Sequence, residues 1–251
     1  MNTLFVGKNF VSLGMVDSTN TFANQLLEIN PAEGTVVIAQ HQTAGKGQQG
    51  STWSAEPSLN LTFSLILYPR FLAPRQIFLL NKLIACALWD TLAAMLPEGG
   101  VEIKWPNDIL ARRRKIAGIL IETSLDRDSI RSAIIGIGLN VNQMTFSGQL
   151  HGAATSMALQ AGKTFDAQAV LSDLLERIEA RYLAIRAGRH EGVERAYLER
   201  LYAYQEDTLI EIAGQRLTVH VVGIDPDGRL AVQRDGKLYF YGVKEIRFCL
   251  A

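Results

Sequence analysis

The sequence predicts an α+β protein that ends in a small all-β domain. β-branched runs and long helical patterns both occur as far as about residue 204. After Gln205 the pattern changes to short strands separated by the turn sequences Asp-Pro-Asp-Gly and Asp-Gly. We therefore expect a larger domain over residues 1–204 and a small β-barrel domain over residues 205–251.

The composition describes a globular protein without a global charge field. The chain has 251 residues, 48% of them hydrophobic, which is enough for one large core and a small second domain. Lys+Arg 25 balances Asp+Glu 25, so nothing points to specific DNA as the main partner. Cys86 and Cys249 are expected to be reduced thiols in a cytoplasmic protein, and a disulfide between them is left open.

The helical patterns begin at recognisable signals. Asp17 or Ser18 is a natural N-cap for the first helix, and Pro74 starts a long helix that reaches Pro97. The apolar stretch 77–96 is interrupted by polar and charged side chains, so we expect a buried helix rather than a membrane span. No secretory signal pattern precedes these elements. Further helices are predicted over 167–186 and 193–202.

Strands are predicted where β-branched and apolar residues cluster between turn signals. In the larger domain the predicted strands are 35–39, 60–68, 101–105, 116–122 and 134–142. In the small domain they are 208–212, 217–224, 230–233 and 238–243. Pro106 ends the third strand, and Asn107 and Asp108 suit a turn after it.

A glycine-rich cationic loop, Gly45 to Gly50, follows the first predicted strand. Its spacing matches the G-x-G-x-x-G dinucleotide fingerprint, but no helical pattern follows it. No acidic residue lies about 20 positions further on, where a ribose would be bound. We therefore reject a Rossmann site. The remaining interpretations are a loop that folds over phosphates, to which Lys46 adds charge, or an ordinary hairpin loop.

Three further polar features point to a ligand. A helix cap needs one polar residue, yet the first helix is preceded by four: Asp17-Ser18-Thr19-Asn20. Lys115 adjoins an apolar strand, where a lysine is costly unless an anion meets it. Asn140 ends the strand that contains Gly136 and Gly138, whose small size permits close approach of a flat ligand.

Together these segments resemble the biotin–protein ligase family, the biotin–[acetyl-CoA-carboxylase] ligases. The resemblance covers roughly residues 15–145, and each motif alone is weak. The motifs that carry it are Asp17–Asn20, Gln42–Gly50 with Trp53, Lys104–Asp108, Lys115–Leu120 and Gly136–Asn140. It implies a mixed sheet backed by helices, of the class II synthetase-like fold, with an SH3-like C-terminal barrel.

The resemblance also implies a two-step reaction. The carboxylate of biotin attacks the α-phosphate of ATP to give biotinyl-5′-AMP, and a lysine of a biotin carboxyl carrier domain then attacks the mixed anhydride. Such chemistry depends on positioning and on offsetting negative charge. The residues implied for biotin binding are Ser18, Thr19, Asn20, Gln42, Lys46, Gly47, Gln48, Lys115 and Gly118.

Nucleotide binding and catalysis are implied for a partly overlapping set. Lys46, Gly47, Gln48, Trp53, Asn107 and Asn140 are the implied ATP-binding residues, with Trp53 packing against adenine. Lys115 is the implied catalytic cation, assisted by Lys46 and Asp108. Asp108 is expected either to hold Mg²⁺ through water or to orient the incoming lysine. The resemblance is compatible with a homodimer, which the sequence does not fix.

Two departures from the family pattern affect these expectations. Lys46 and Gln48 stand where the family usually has arginines, so one bidentate fork and one charge are lost. We therefore expect weaker retention of the adenylate. Only about 16 residues precede Asp17, too few for the winged-helix domain of bifunctional members, so no operator binding is expected.

Two other functions remain as alternatives. A lipoate– or octanoate–protein ligase shares the fold and a binding lysine. A non-catalytic biotin-binding module is the alternative from another class, although it would not need Lys46, Asp108 and Lys115. Biotin-dependent release of pyrophosphate from ATP would distinguish all three.

Overall fold

The larger sheet of this computed structural model, which describes residues 1–250 except the side chains of Gln49 and Gln149, has seven strands. They are β1 (Phe10–Val16), β2 (Val36–Gln42), β3 (Leu61–Leu67), β4 (Val101–Lys104), β5 (Asp108–Ala111), β6 (Arg114–Leu125) and β7 (Ile130–Leu139). Their order is β1-β2-β3-β7-β6-β5-β4. β1 and β2 are parallel and all other neighbours are antiparallel, so the sheet is mixed.

Helices cover both faces of this sheet. They are α1 (Thr19–Leu26), α2 (Ile77–Met95), α3 (Met157–Ala161), α4 (Ala167–Arg186) and α5 (Glu191–Glu199). Because side chains alternate along a strand, Phe63 and Leu65 of β3 enter the main core with α2 and α4. Ile66 points the other way and packs in a small cluster with Ala23 of α1. The part of this second face that α1 leaves uncovered forms the cavity described below.

The C-terminal strands form a separate five-stranded antiparallel sheet. They are β8 (Asp207–Ile212), β9 (Gln215–Ile224), β10 (Leu230–Arg234), β11 (Lys237–Tyr241) and β12 (Arg247–Phe248), in the order β11-β10-β9-β8-β12. One turn of this sheet contacts the larger unit, because Trp105 Nε1 donates to Gly228 O at 2.9 Å. Phe78 of α2 lies against the same glycine.

The predicted fold class is confirmed: a mixed sheet backed by helices is followed by a small β domain. The helix predicted over 167–186 matches α4. Four elements were not predicted from the sequence: β1, β5, β12 and α3. Asp108 begins β5 instead of lying in a turn, because Trp105–Asn107 already make the reversal after β4. The boundary at residue 204 stays a prediction.

The long apolar helix is a core element. The segment Pro74–Met95 is long and apolar enough to cross a membrane by length and composition, but 67% of its most apolar window is buried within the fold. Leu80, Leu83 and Ile84 are fully buried in the main core. Cys86 on the same helix is buried, and both it and Cys249 are free thiols.

Candidate active site

A cavity of about 290 Å³ opens on the sheet face that α1 leaves uncovered. It brings together nearly all the site residues implied by the sequence. Those that line it are Ser18, Thr19, Asn20, Gln42, Lys46, Gly47, Gln48, Trp53, Asn107, Asp108, Lys115 and Gly118. The five motifs therefore converge although they are distributed over about 120 residues of chain.

Glycines form the floor of the cavity, and side chains lie directly on them. A Cβ atom added to Gly138 of β7 would lie 2.2 Å from Trp53 Cε2, so the indole rests on bare backbone. A Cβ on Gly136 would lie 2.4 Å from Asn20 Oδ1. Gly118 of β6 is paired with Gly138. A Cβ on Gly118 would lie 3.2 Å from Lys115 Nζ. No residue larger than glycine fits at 136 or 138 without moving these groups.

Uncharged polar groups line the Gly136 end of the cavity. The amide of Thr19 donates to Gln42 Oε1 at 2.7 Å, and Thr19 Oγ1 lies 3.0 Å from the same oxygen. Ser18 is the N-cap residue of α1, as expected, but its side chain makes no capping hydrogen bond. Gln42, at the end of β2, satisfies the first amide instead. The hydroxyl of Ser18 therefore does not cap the helix.

Asn20 belongs to a buried network that the sequence analysis did not find. Asn20 Nδ2 donates to Glu122 Oε2 at 2.6 Å. Ser64 Oγ of β3 lies 2.6 Å from Asn20 Oδ1 and 2.8 Å from Thr19 Oγ1. Ser64 and Glu122 are polar residues on the cavity face of their strands, where the pairs Ser64–Gly136 and Ile134–Glu122 set their positions. Alternation along β3 and β6 predicts the face on which each residue lies, but only the register of the paired strands brings them to Asn20.

Cations cluster at the Gly118 end. Lys115 Nζ lies 2.6 Å from Asp108 Oδ1, and Lys104 Nζ lies 3.1 Å from Asp108 Oδ2. Burial raises the pKa of Asp108, but the two ammonium groups more than offset burial and hold that pKa below its ordinary value of 3.8. The three side chains together carry one net positive charge. Lys115 Nζ is also 5.6 Å from the centroid of the Trp53 ring.

The glycine-rich loop is a tight hairpin beside this cluster. Lys46 and Thr52 form an antiparallel bridge, Gly47 N donates to Ser51 O at 2.7 Å, and Trp53 N donates to Gly45 O at 2.9 Å. A Cβ on Gly45 would lie 2.4 Å from Trp53 O, so glycine is required for the close pairing. The hairpin positions the indole of Trp53 over the floor.

A family model, the biotin/lipoate A/B protein ligase family, matches residues 13–140, which is 128 of the 251 residues and contains all five motifs. The chain belongs to this family.

Curated relatives within the biotin/lipoate ligase family carry biotin ligase names. The biotin–[acetyl-CoA-carboxylase] ligase of Paracoccus denitrificans is 36% identical over 68% of this chain and 72% of its own length. The bifunctional ligase/repressor BirA of Bacillus spizizenii is 36% identical over 72% of this chain. This chain spans 56% of the length of that repressor.

Solved structures of biotin ligases share the fold. The biotin protein ligase of Aquifex aeolicus in complex with biotin and ATP is 25% identical, with a TM-score of 0.80 over 97% of this chain and 100% of that one. The Leishmania major biotin protein ligase is 23% identical with a TM-score of 0.64, covering 94% of this chain and 99% of that one. At that identity the second likeness concerns the fold alone.

The implied asparagines have different surroundings in this ligase family member. Asn107 lines the cavity, and its Nδ2 donates to Ile119 O at 2.6 Å. Asn140 lies just beyond β7, is 3% exposed, and donates to Thr155 O at 3.0 Å. It does not line the cavity, although its buried Oδ1 has no hydrogen-bond partner among the described residues. Its contact with the nucleotide stays a prediction.

Asp108 does not fit the magnesium role that the resemblance implies. Each of its carboxylate oxygens accepts from a lysine ammonium group, and Mg²⁺ would have to compete with both. The described residues also contain no group of three or more His, Cys, Asp or Glu side chains arranged to hold a metal ion. Asp108 instead binds Lys115 and Lys104 of this chain, and its expected role in orienting the incoming lysine stays a prediction.

The small β domain supplies one wall of the cavity, which the sequence analysis did not foresee. Three residues in the segment between β11 and β12 line the cavity: Val243, Lys244 and Ile246. Lys244 adopts a positive φ of 72°. The segment between β11 and β12 contains none of the five motifs, so the sequence did not connect it with the ligand site.

Proposed function

We propose that the protein is a biotin–protein ligase, which activates biotin with ATP to biotinyl-5′-AMP and transfers the biotinyl group to a lysine of a carrier domain. The observation that supports this most directly is the division of the cavity. Uncharged hydrogen-bonding groups lie at the Gly136 end and cations at the Gly118 end. Biotin has the same division, with a neutral ureido head and an anionic carboxylate.

In the first step, a carboxylate oxygen of biotin forms a bond to the α-phosphorus of ATP. The bond between the α-phosphorus and the bridging oxygen breaks, and pyrophosphate leaves with that oxygen. We assign the ureido head to Ser18, Thr19, Asn20 and Gln42, with the bicyclic ring lying on the glycine floor. Trp53 would pack against adenine, after its indole moves from Gly138. Its buried indole N–H has no protein acceptor among the described residues and is free to donate to a ligand.

Lys115 is the proposed catalytic cation. It lies between the glycine floor and Asp108, where its ammonium group would contact both the attacking carboxylate and the α-phosphate. The biotin carboxylate and the α-phosphate are both anions, and a cation between them reduces their repulsion. A fixed charge stabilises the transition state more strongly in a site from which water is partly excluded than in bulk water. Asp108 acts by holding Lys115, and Lys104 binds the other oxygen of the same carboxylate. Lys46 with Gln48 would cover the phosphates.

In the second step the amine of the acceptor lysine attacks the acyl carbon, the new bond is an amide, and AMP leaves. The acceptor is expected to be a biotin carboxyl carrier domain, because relatives are named biotin–[acetyl-CoA-carboxylase] ligases. We also propose that the protein acts in the cytoplasm. Both cysteines are free thiols, as is usual for proteins of that reducing compartment. We assign no protein ligand to Mg²⁺, which phosphate oxygens of ATP ordinarily hold.

Biotin-dependent exchange of pyrophosphate into ATP tests the proposal. The wild type should exchange with biotin and not with lipoate, and Lys115→Ala should reduce the rate constant about 10²–10³-fold. Lys237→Ala, which removes an exposed lysine of β11, is the matched control and should exchange normally. Exchange with lipoate would indicate a lipoyl ligase, and no exchange with either acid would leave a binding module.

A further inference from the structure

Glu122 is a carboxylate beside a pocket end that is assigned to a neutral head group. It lies on β6, and its Oε2 accepts from Asn20 Nδ2 at 2.6 Å. Asn20 is 3% exposed and Ser64 is fully buried. Bringing a carboxylate close to a buried amide costs desolvation free energy, which the hydrogen bond to that amide offsets.

The carboxylate determines which atom of the Asn20 amide faces the cavity floor. An ionised carboxylate only accepts hydrogen bonds, so the amide must turn its NH₂ group toward Glu122. The carbonyl oxygen Oδ1 consequently points toward Ser64 and Gly136. With a partner that could both donate and accept, the amide would be able to take either orientation.

The Gly136 end of the cavity has fewer hydrogen-bond donors than acceptors. Ser64 has one hydroxyl proton but lies within hydrogen-bond distance of both Thr19 Oγ1 and Asn20 Oδ1. The Thr19 hydroxyl and amide are both directed at Gln42 Oε1. Whichever acceptor Ser64 serves, the other keeps an open lone pair. This end of the cavity therefore presents acceptors.

We propose that Glu122 is a positioning residue that fixes Asn20 as a hydrogen-bond acceptor, and so selects a ligand head that carries N–H donors. The proposal rests on the proposed function and refines it. The two N–H groups of a ureido ring match the open acceptors, whereas the disulfide ring of a lipoyl group has no donor to offer. A buried acceptor left unpaired weakens binding of the wrong ligand.

Glu122→Gln tests the orientation directly. Glutamine can donate or accept, so the Asn20 amide would no longer have one fixed orientation. In pyrophosphate exchange, KM for biotin should rise roughly tenfold or more, while kcat and KM for ATP stay within about twofold. Glu102→Gln removes a carboxylate from β4 of the same sheet, where Glu102 contacts Arg113 outside the cavity, and should leave KM for biotin unchanged.

Reversing the pair separates orientation from structural support. Asn20→Asp alone places two carboxylates together and should weaken biotin binding further. Asn20→Asp combined with Glu122→Gln restores a donor–acceptor pair with an acceptor oxygen facing the floor, so KM for biotin should return to within about threefold of the wild type. This double variant also carries the test if Glu122→Gln alone does not fold.

The outcomes distinguish the two proposals. A wild type that exchanges pyrophosphate with biotin, together with an unchanged KM in Glu122→Gln, would overturn the positioning role and leave the ligase intact. An increase in KM that the double variant does not reverse would show that Glu122 only ties β6 to α1, and would overturn the role as well. A wild type without exchange would overturn the ligase itself.

Discussion

At the scale of single residues, the site depends on groups that make two contacts at once. Asp108 is the clearest case, because each oxygen of its carboxylate binds a different lysine. The side chain of Asp108 is only 15% exposed, and neutralising it would leave two ammonium groups facing each other. Asp108 thus contributes both to the stability of the fold and to the position of Lys115.

Asp108→Asn should destabilise the protein by about 1–3 kcal/mol at neutral pH, because the two lysines lose their counter-charge. The pKa of Asp108 is lowered in the folded state, so its stabilisation is complete above the ordinary aspartate value of 3.8. It is lost as the pH falls from there through the lower folded-state value. Urea denaturation should therefore show a constant difference between wild type and variant down to roughly pH 4, and a shrinking one below.

Asp235→Asn is the matched control for this titration. Its carboxylate is 83% exposed and contacts only Arg234, at 3.4 Å, among the described side chains. Exposed pairs contribute little, so this variant should differ from the wild type by less than about 1 kcal/mol throughout. A difference for Asp108→Asn that persists unchanged into strong acid would refute the pairing.

At the scale of elements, we expect the hairpin of residues 45–53 to determine how firmly the proposed adenylate is held. Its bridge and its short backbone hydrogen bonds fix the loop backbone, yet only Lys46 among the implied phosphate contacts of this loop carries a charge. Gln48 lines the cavity without one. The loop is therefore well placed but weakly cationic.

Under the proposed function, Gln48→Arg should slow release of biotinyl-5′-AMP from the protein about tenfold, because a guanidinium group adds a bidentate contact to phosphate. The rate is measured by rapid filtration of the enzyme after it has formed labelled adenylate. Gln233→Arg adds the same group at an exposed position of β10 and should release adenylate at the wild-type rate. Equal rates for all three proteins would eliminate the retention hypothesis.

At the scale of the whole molecule, the two sheets share one hydrophobic core, and Gly228 is one of the points where their units touch. This glycine has φ +85°, accepts a hydrogen bond from Trp105, and would place a Cβ 2.6 Å from Phe78 Cγ. The same small domain carries Val243 to Ile246 into the cavity wall. The contact at Gly228 adds to the shared hydrophobic core that joins the two units, so we expect it to contribute to the docking and to the shape of the site.

Gly228→Ala should destabilise the protein by about 1–3 kcal/mol more than Gly236→Ala. Both glycines have positive φ, but a Cβ on Gly236 would meet nothing within 4 Å, so the control contains the backbone strain without the clash. Thermal unfolding measures the stability, and exchange activity should fall in Gly228→Ala only. Equal effects in the two variants would exclude a role for the contact.

Local signals in the sequence were enough for the α+β class, whereas most of the cavity residues were implied by the family resemblance. Long helices such as α4 and the polar residues before α1 follow rules that act over a few positions. Ser64 and Glu122 escaped because their importance arises only when β3, β7 and β6 pair in register. β1 was not predicted because its apolar and polar residues alternate only weakly at the edge of the sheet. Its apolar residues Phe10 and Met15 are exposed, so they do not form a buried face typical of a strand.

The three tryptophans differ in a way that makes the protein its own spectroscopic probe. The indole N–H groups of Trp89 and Trp105 are bound to Val101 O and Gly228 O, away from the cavity. Trp53 lies on the glycine floor with Lys115 nearby and no hydrogen-bond partner for its nitrogen among the described residues. A ligand that enters the cavity must change the surroundings of this one fluorophore. Intrinsic emission should therefore report each binding step without a label, and a Trp53→Phe variant would remove that signal.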